Sequence, residues 1–286
     1  KSATVEPRVA TMLLALAEKM NNPQQVEELF YLVDPEQKSE DEHDRYFEDA
    51  DEAADYHEGE LPTAIEGSDE GLIEIKKLLE KVKRVFSKDL SKNPAKVKPF
   101  RIDIDEEKWN NLKVAKGYRR QSAPKEEAMR EYINTYMDIL FQFSEAGQGS
   151  QVNMVPKTEP GAYRFTCDFR ELNECCRKID FQLPKIWDII TRIGKSGAKY
   201  FSKIDLTQGF HQVPLAEESK KFTSFRTCLG NLEYLRMAMG TKGAPQYFQK
   251  IMIEMLKDCT DICEIYIDDI LVFGRTEKEL IANTEK

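Results

Sequence analysis

A chain of 286 residues can hold one large domain or two ordinary ones, and its 41% hydrophobic and 33% charged content is slightly leaner in apolar and richer in charged side chains than a typical globular protein. The net charge of −9 conceals a split: residues 1–70 carry five basic and 20 acidic side chains, net −15, whereas residues 71–286 carry 37 basic and 31 acidic ones, net +6. The whole-chain charge therefore excludes no nucleic-acid role, and the mildly basic remainder is compatible with a phosphate-binding cleft without pointing to one.

In chain order, residues 1–33 space apolar positions such as Val9, Met12, Leu13 and Leu16 as in one or two short helices with no chemistry attached. Residues 34–70 hold 16 Asp or Glu against Lys38 and Arg45 and almost no large aliphatics. Such a segment cannot bury enough surface to offset its ordering entropy, so a solvated, disordered linker is expected, with an acidic recruitment tail as the minority reading. Leu72, Ile75, Leu78, Leu79, Val82 and Val85 predict a helix from Gly71 to Phe86, followed by an extended, Pro-containing connection from Ser87 to Arg101. A second helical period runs from Glu126 to Phe143, with Gly147 and Gly149 to stop it.

From Gln151 onward short apolar runs alternate with turn residues. Tyr163 to Phe169 reads as a strand after the Glu159-Pro160-Gly161 turn, Pro184 to Ile193 as a helix ended by Gly194, and Lys199 to Leu206 as a strand. Ala244 to Leu256 is a helix with Phe248, Ile251, Met252 and Met255 as its core face, and Ile262 to Phe273 holds two strands. This mixture predicts an α+β fold. Residues 1–33, 34–70, 71–150 and 151–286 are the expected divisions: a helical segment, the acidic linker, a connection, and the chemistry-bearing domain.

The six cysteines, at 167, 175, 176, 228, 259 and 263, form no Cys-x-x-Cys pair, and the three histidines do not gather near them. Reduced core cysteines of an intracellular protein, in cytoplasm or nucleus, are the simplest reading. The apolar run Thr11 to Leu16 is too short to span a bilayer and lacks signal-peptide flanks, so no membrane is expected as a partner. Lys1 in place of Met and the unfinished helical pattern at Ala282 to Lys286 read as a piece of something longer.

The sharpest chemical signal is the run Ile265 to Phe273, where Asp268 and Asp269 interrupt residues that otherwise belong in a core. Two adjacent buried carboxylates need a positive partner, and the run contains no Lys or Arg. Either they sit on an exposed hairpin turn or they hold a divalent metal. Asp205 ends a separate apolar strand, Tyr200 to Leu206. A carboxylate there and a pair at a hairpin can converge on one sheet edge, and three such carboxylates can hold two Mg²⁺ ions about 3.5–4 Å apart.

At this point the residues resemble a known family. Phe201-Ser202-Lys203-Ile204-Asp205-Leu206-Thr207-Gln208-Gly209-Phe210-His211-Gln212 looks like motif A of the reverse transcriptases of Gypsy-type long-terminal-repeat retrotransposons. Met237 to Gln249 resembles motif B, Tyr266-Ile267-Asp268-Asp269 is a variant of the Tyr-x-Asp-Asp box, and Tyr163 to Asn173 is similar to the fingers strand and its exit. The four follow the family's order over roughly residues 151–275. The resemblance implies a right-hand polymerase palm with fingers, an antiparallel sheet backed by helices, and RNA-directed DNA polymerase activity. It implies Mg²⁺ as cofactor (two ions, or Mn²⁺), a primed RNA or DNA template and deoxynucleoside triphosphates. The remaining Pol domains would be partners in a parent polyprotein: thumb, RNase H, and protease and integrase.

Carried over position by position, the resemblance gives Asp205 and Asp268 the metal-bridging role and Asp269 a supporting one. Lys157 and Arg164 match the finger cations that close on a triphosphate, suited as a mobile point charge and a planar fork; their bland reading is solvated surface cations. Phe210 falls where the family keeps an aromatic beneath the sugar, and its bland reading is an ordinary core ring. Leu206, Met239 and Gly240 join it as expected nucleotide contacts; Arg170, Gly243, Pro245 and Tyr266 are the expected template and primer contacts. Met239 stands where Phe or Gln is usual, Ala238 where Pro is common, and Ile267 where Leu, Val or Met is usual. Two other readings stay open: a remnant that binds nucleic acid or a protein partner without catalysis, and another two-metal phosphodiesterase such as a nuclease, which would leave Phe210 and the finger cations unexplained.

Overall fold

The computed structural model describes residues 65–86, 89–112 and 117–286. The helices expected in residues 1–33, and the acidic linker up to residue 64, lie outside the described residues. Helix α1 (Asp69–Lys81) begins before Gly71 because Ser68 caps it: the Ser68 hydroxyl accepts the Gly71 N–H at 3.1 Å, and Asp69 and Glu70 complement the positive helix end. The last residues of the expected acidic linker are therefore helical. The helix ends at Lys81, and a 3₁₀ turn at Lys83–Val85 replaces its expected continuation to Phe86.

Helix α2 (Glu106–Asn111) is capped by the Asp105 side chain, and α3 (Ala123–Tyr136) carries Pro124 in its first turn. The helix expected to reach Phe143 stops at Tyr136. Asp138 adopts φ +63°, and the chain re-emerges as strand β1 (Phe141–Phe143). Tertiary packing overrides the helical period here: Phe141 pairs with Tyr234 and is fully buried. Strands β2 (Ser150–Pro156) and β3 (Tyr163–Asp168) form a hairpin, followed by α4 (Arg170–Cys175) and α5 (Ile186–Ser196). Gly194 does not end α5 as expected; Gly197, at φ +74°, takes the left-handed position that terminates it. Then come β4 (Tyr200–Asp205), the short helices α6 (Gly209–Gln212) and α7 (Glu217–Lys220), β5 (Phe225–Thr227), β6 (Gly230–Tyr234) and α8 (Ala244–Met255). Phe248, Ile251 and Met252 are buried on α8 as expected, whereas Met255, at its last turn, is 62% exposed and leaves the core stripe. The hairpin β7 (Cys263–Tyr266) and β8 (Asp269–Gly274) precedes α9 (Glu277–Glu285).

The described residues form two compact units, and the fold is α+β as the pattern predicts. One unit comprises Asp89–Gln182 and Thr207–Glu254. Its five-stranded sheet has the order β1-β6-β5-β2-β3, antiparallel except where β2 meets β5 at Ser150↔Phe225 and Gln151↔Arg226. Phe141 meets both Phe225 and Tyr234 edge to face, Phe225 and Tyr234 are tilted on each other, and the Tyr132 ring of α3 stacks on Phe165 at 5.0 Å. Arg236, 2% exposed, donates to the carbonyl oxygens of Ser91, Lys92 and His211, so the stretch before α2 is tied down.

The other unit comprises Leu183–Leu206 and Met255–Lys286 with the described residues up to 86. Its antiparallel sheet has the order β4-β8-β7. On one face Ile189 and Ile193 of α5 pack with Phe273, Phe201, Leu271 and Tyr266. Helix α9 lies along β8 and against α1. There the Glu277 carboxylate accepts the Ser68 N–H at 2.8 Å and the Ser68 hydroxyl. Among the described residues no helix is long and apolar enough to cross a membrane.

Candidate active site

Strands β4 and β8 pair over their whole length from Tyr200↔Gly274 to Asp205↔Asp269. Directly opposed residues of an antiparallel pair project from the same face with Cβ atoms about 4.5–5.5 Å apart. Asp205 and Asp269 therefore stand side by side at the end of the ladder, and Asp268 precedes Asp269 in the turn. Asp205 is exposed, and Asp268 and Asp269 are half-buried. Like charges opposed in this way are unfavourable unless a cation lies with them.

The turn itself is unusual. Tyr266 pairs with Asp269, which leaves Ile267 and Asp268 as a two-residue hairpin loop. Ile267 has φ +57°, and Asp268 does not share the positive sign. A positive φ at the first loop residue alone is the type II′ pattern, in which glycine is the ordinary occupant. A β-branched residue there costs about 1–2 kcal/mol, held in place only because its surroundings over-determine it. The Ile267 side chain is 5% exposed, and its burial anchors the loop that presents the two aspartates.

The cation that the Ile265–Phe273 run lacks comes from β4, as Lys203. Lys203 lies two residues before Asp205, on the same face of β4, and its Nζ sits 2.9 Å from Asp269 Oδ1. Burial alone would lower the Lys203 pKa, but the hydrogen bond to Asp269 and the charges of Asp269, Asp205 and Asp268 outweigh it, and the net direction is upward. Side-chain alternation along β4 puts Lys203 and Asp205 on one face.

The donor set suits a hard divalent cation: three carboxylates supply oxygen ligands alone. Among the described residues no three Asp, Glu, His or Cys side chains already converge as a finished metal site.

On the same unit, Leu206 follows β4 half-buried, and Tyr266 packs into the cluster around Phe273. The remaining candidates belong to the other unit. Lys157 is exposed just past β2, its N–H bonded to Ala162 O at 2.9 Å, and Arg164 is half-buried opposite Val155 on β3. Continuing the ladder one step puts both cations on one face of the hairpin. Phe210 is 7% exposed and stacks on Phe248, centroids 4.9 Å apart and planes 14° apart. Arg170 forms a fork on Asp168, with Nε to Oδ1 at 2.8 Å and Nη2 to Oδ2 at 2.5 Å. That fork holds the Asp168 carboxyl below its ordinary range.

The segment 239–245 is shaped by two devices. Asn173 clamps it, donating to Gly240 O at 2.8 Å and accepting the Lys242 N–H at 2.7 Å. Gly243, at φ +85°, lies so near Ile179 that a Cβ would fall 2.2 Å from Ile179 Cδ1. Pro245 follows in the first turn of α8, and Met239 is half-buried ahead of the clamp. Asn173 is a positioning residue that residue type alone did not single out. Of the cysteines, Cys175, Cys176 and Cys263 are buried and the other three half-buried, all as free thiols.

Residues 155–286 match the family described as reverse transcriptase (RNA-dependent DNA polymerase). The chain is 33% identical over 174 residues to the retrovirus-related Pol polyprotein from transposon 412 of Drosophila melanogaster, covering 59% of this chain. It is 33% identical over 123 residues to the Pol polyprotein from transposon gypsy of the same fly, covering 43% of this chain. It spans only 14% and 12% of those relatives' lengths. Among solved structures, a foamy viral protease-reverse transcriptase in complex with double-stranded DNA superposes with a TM-score of 0.60 at 21% identity, over 77% of this chain and 38% of that one. That likeness is one of fold. Residues 155–286 thus belong to the reverse transcriptase family, in a chain whose relatives are retrovirus-related Pol polyproteins.

Proposed function

We propose that the chain acts as an RNA-directed DNA polymerase of a retroelement, transferring a deoxynucleotidyl group to a primer 3′-hydroxyl with release of pyrophosphate. The observation that carries the reading is the register of Asp205 against Asp269, with Asp268 beside it in the turn, inside a segment of the reverse transcriptase family. Reverse transcriptase domains generally use divalent metal ions. In this reading Asp205 and Asp268 would share two Mg²⁺ or Mn²⁺ ions and Asp269 would support one. When bound, the ions acidify the attacking hydroxyl and neutralise the leaving phosphates.

The chain's own side chains do the rest. The carboxylates fix where positive charge can gather at the end of the β4–β8 ladder. Lys157 and Arg164 meet the triphosphate, Arg164 by its fork and Lys157 as a point charge. Phe210 limits room at the sugar 2′ position, with Leu206, Met239 and Gly240 as further nucleotide contacts. Arg170, Gly243, Pro245 and Tyr266 meet template and primer. Residues 151–286 supply fingers and palm, and the other Pol domains are the partners of this segment.

Primer extension tests the proposal, using the purified chain with an RNA template, a DNA primer, deoxynucleotides and Mg²⁺ beside an Asp268→Asn variant. Extension by the parent and none by the variant supports it. Equal extension by both overturns the assignment of Asp268. Strand cleavage without incorporation marks a nuclease, and duplex binding with neither reaction marks a non-catalytic remnant.

A further inference from the structure

We propose that Lys203 is the built-in counter-cation of the Asp205–Asp268–Asp269 rim and that it sets the rim's affinity for divalent cations by competing for Asp269. The inference rests on the reading of those carboxylates as metal ligands.

The geometry comes from strand register. Lys203 and Asp205 are two residues apart on β4, so both side chains leave the same face. Asp269 opposes Asp205, which makes it the diagonal neighbour of Lys203 across the ladder, about 7–8 Å away between backbones. A lysine spans that diagonal; an alanine, serine or valine cannot. The residue directly opposite Lys203 is Leu271, and the next pair inward is Phe201↔Phe273. These three belong to the apolar cluster under Ile189 and Ile193 of α5. The stem of Lys203 thus lies beside hydrocarbon, and its ammonium reaches toward the carboxylate end of the β4–β8 ladder, 2.9 Å from Asp269 Oδ1.

The consequence is electrostatic. Two opposed carboxylates with a third beside them repel one another, and an ammonium on one of them relieves part of that repulsion when no metal is bound. A divalent cation that recruits Asp269 must displace the ammonium, which stays tethered to the same strand. Apparent metal affinity is then a difference between two competing cations. Lysine suits such a place because it bonds as a compact point charge on a flexible stem and can withdraw, whereas a guanidinium fork would lock the carboxylate. Both partners are about half exposed, side chains at 51% and 45%, so the competition is worth a several-fold change in affinity, not orders of magnitude.

The test is direct Mn²⁺ binding to the full chain, read as free-ion electron paramagnetic resonance, with thermal unfolding in parallel. Lys203→Met keeps the stem and removes the charge; Lys203→Gln is the second neutral variant should Lys203→Met fold poorly. Both are expected to bind Mn²⁺ about threefold or more tightly than the parent, with a lower melting temperature in chelator that recovers at saturating Mn²⁺. Lys203→Arg should bind no more tightly than the parent. In an Asp269→Asn background, removing the Lys203 charge should change affinity by less than about half as much, because the shared carboxylate is gone. Unchanged or weaker binding by both neutral variants, while Asp205→Asn abolishes binding, overturns the role of Lys203 and leaves the ligand assignment standing. Absence of Mn²⁺ binding in the parent and in every variant overturns both.

Discussion

Asn173 grips the backbone of the 240–242 segment from both sides at once: its Nδ2 donates to Gly240 O at 2.8 Å and its Oδ1 accepts the Lys242 N–H at 2.7 Å. Lys242 Nζ returns the contact, donating to Asn173 O at 3.3 Å and to Cys176 O at 3.1 Å. Asn173→Ala strands one backbone acceptor and one donor, which costs about 1–3 kcal/mol if water does not replace them. Urea unfolding should show a lower midpoint with an unchanged slope. Asn173→Asp keeps the acceptor for Lys242 and loses the donor to Gly240, so it should fall between the two. In the proposed function the same variants raise the KM for the deoxynucleotide, since Met239 and Gly240 lose their support. A midpoint equal to the parent's would mean the clamp contributes nothing.

Much of the candidate site can be read along the chain because its strands are dense in aromatic and β-branched residues. Tyr200 to Asp205 and Ile265 to Phe273 announce core strands, and the aspartates stand out against them. Other features need a partner distant in sequence. Met137 and Leu140 extend the period of α3, and only the pairing of Phe141 with Tyr234 converts the end of that run into a strand. Gly194 and Gly197 both qualify as a helix stop, and the backbone chooses Gly197 because only it sits at positive φ. Alternation along β4 puts Lys203 on the face of Asp205, but the register with β8 decides that it reaches Asp269. Asn173 carries no chemical signature, and its role exists only through Gly240 and Lys242.

Gly243 allows a cleaner separation of backbone and packing terms. Gly243→Ala places a Cβ 2.2 Å from Ile179 Cδ1 and 2.9 Å from Ile179 Cγ1, at φ +85°. The positive φ costs about 1–2 kcal/mol by itself, and the displaced isoleucine adds to it. Pairing Gly243→Ala with Ile179→Ala should recover the steric part and leave the backbone part. The cycle is read by urea unfolding of the parent, both single variants and the double one. Strict additivity of the two losses would show that the methyl and Ile179 do not meet.

The Phe210–Phe248 stack leads to a prediction about sugar choice. With one face of Phe210 occupied by Phe248 at 4.9 Å, the ring's position depends on its neighbour. In the proposed function Phe210→Val opens space at the 2′ position and raises ribonucleotide relative to deoxynucleotide incorporation about tenfold or more. Phe248→Leu, which leaves Phe210 present but less firmly backed, should shift the same ratio in the same direction by less. Single-nucleotide incorporation with each triphosphate measures both. An unchanged ratio in Phe210→Val would return Phe210 to the role of a core ring.

His211 makes stability depend on pH in a defined direction. Its ring is buried, Nδ1 faces Gln208 Oε1 at 3.1 Å, and Arg236 lies close enough to donate to the His211 carbonyl at 3.3 Å. Burial first, and then the Arg236 charge, push the His211 pKa down to about 4. The unfolded chain would titrate near 6.5. Because the folded value is depressed, the stabilisation is fully present above pH 6.5 and is lost as pH falls toward 4, where the unfolded state takes the proton first. The difference between the two values corresponds to roughly 3 kcal/mol across that window. Urea unfolding at intervals from pH 7.5 to 4.5 should show the decline in the parent. His211→Asn keeps an N–H for Gln208 and cannot protonate, so its stability should be lower at pH 7.5 but flatter with pH. Parallel curves for parent and variant would show that the acid sensitivity lies elsewhere, and that the imidazole next to Arg236 already exchanges with solvent before the fold opens.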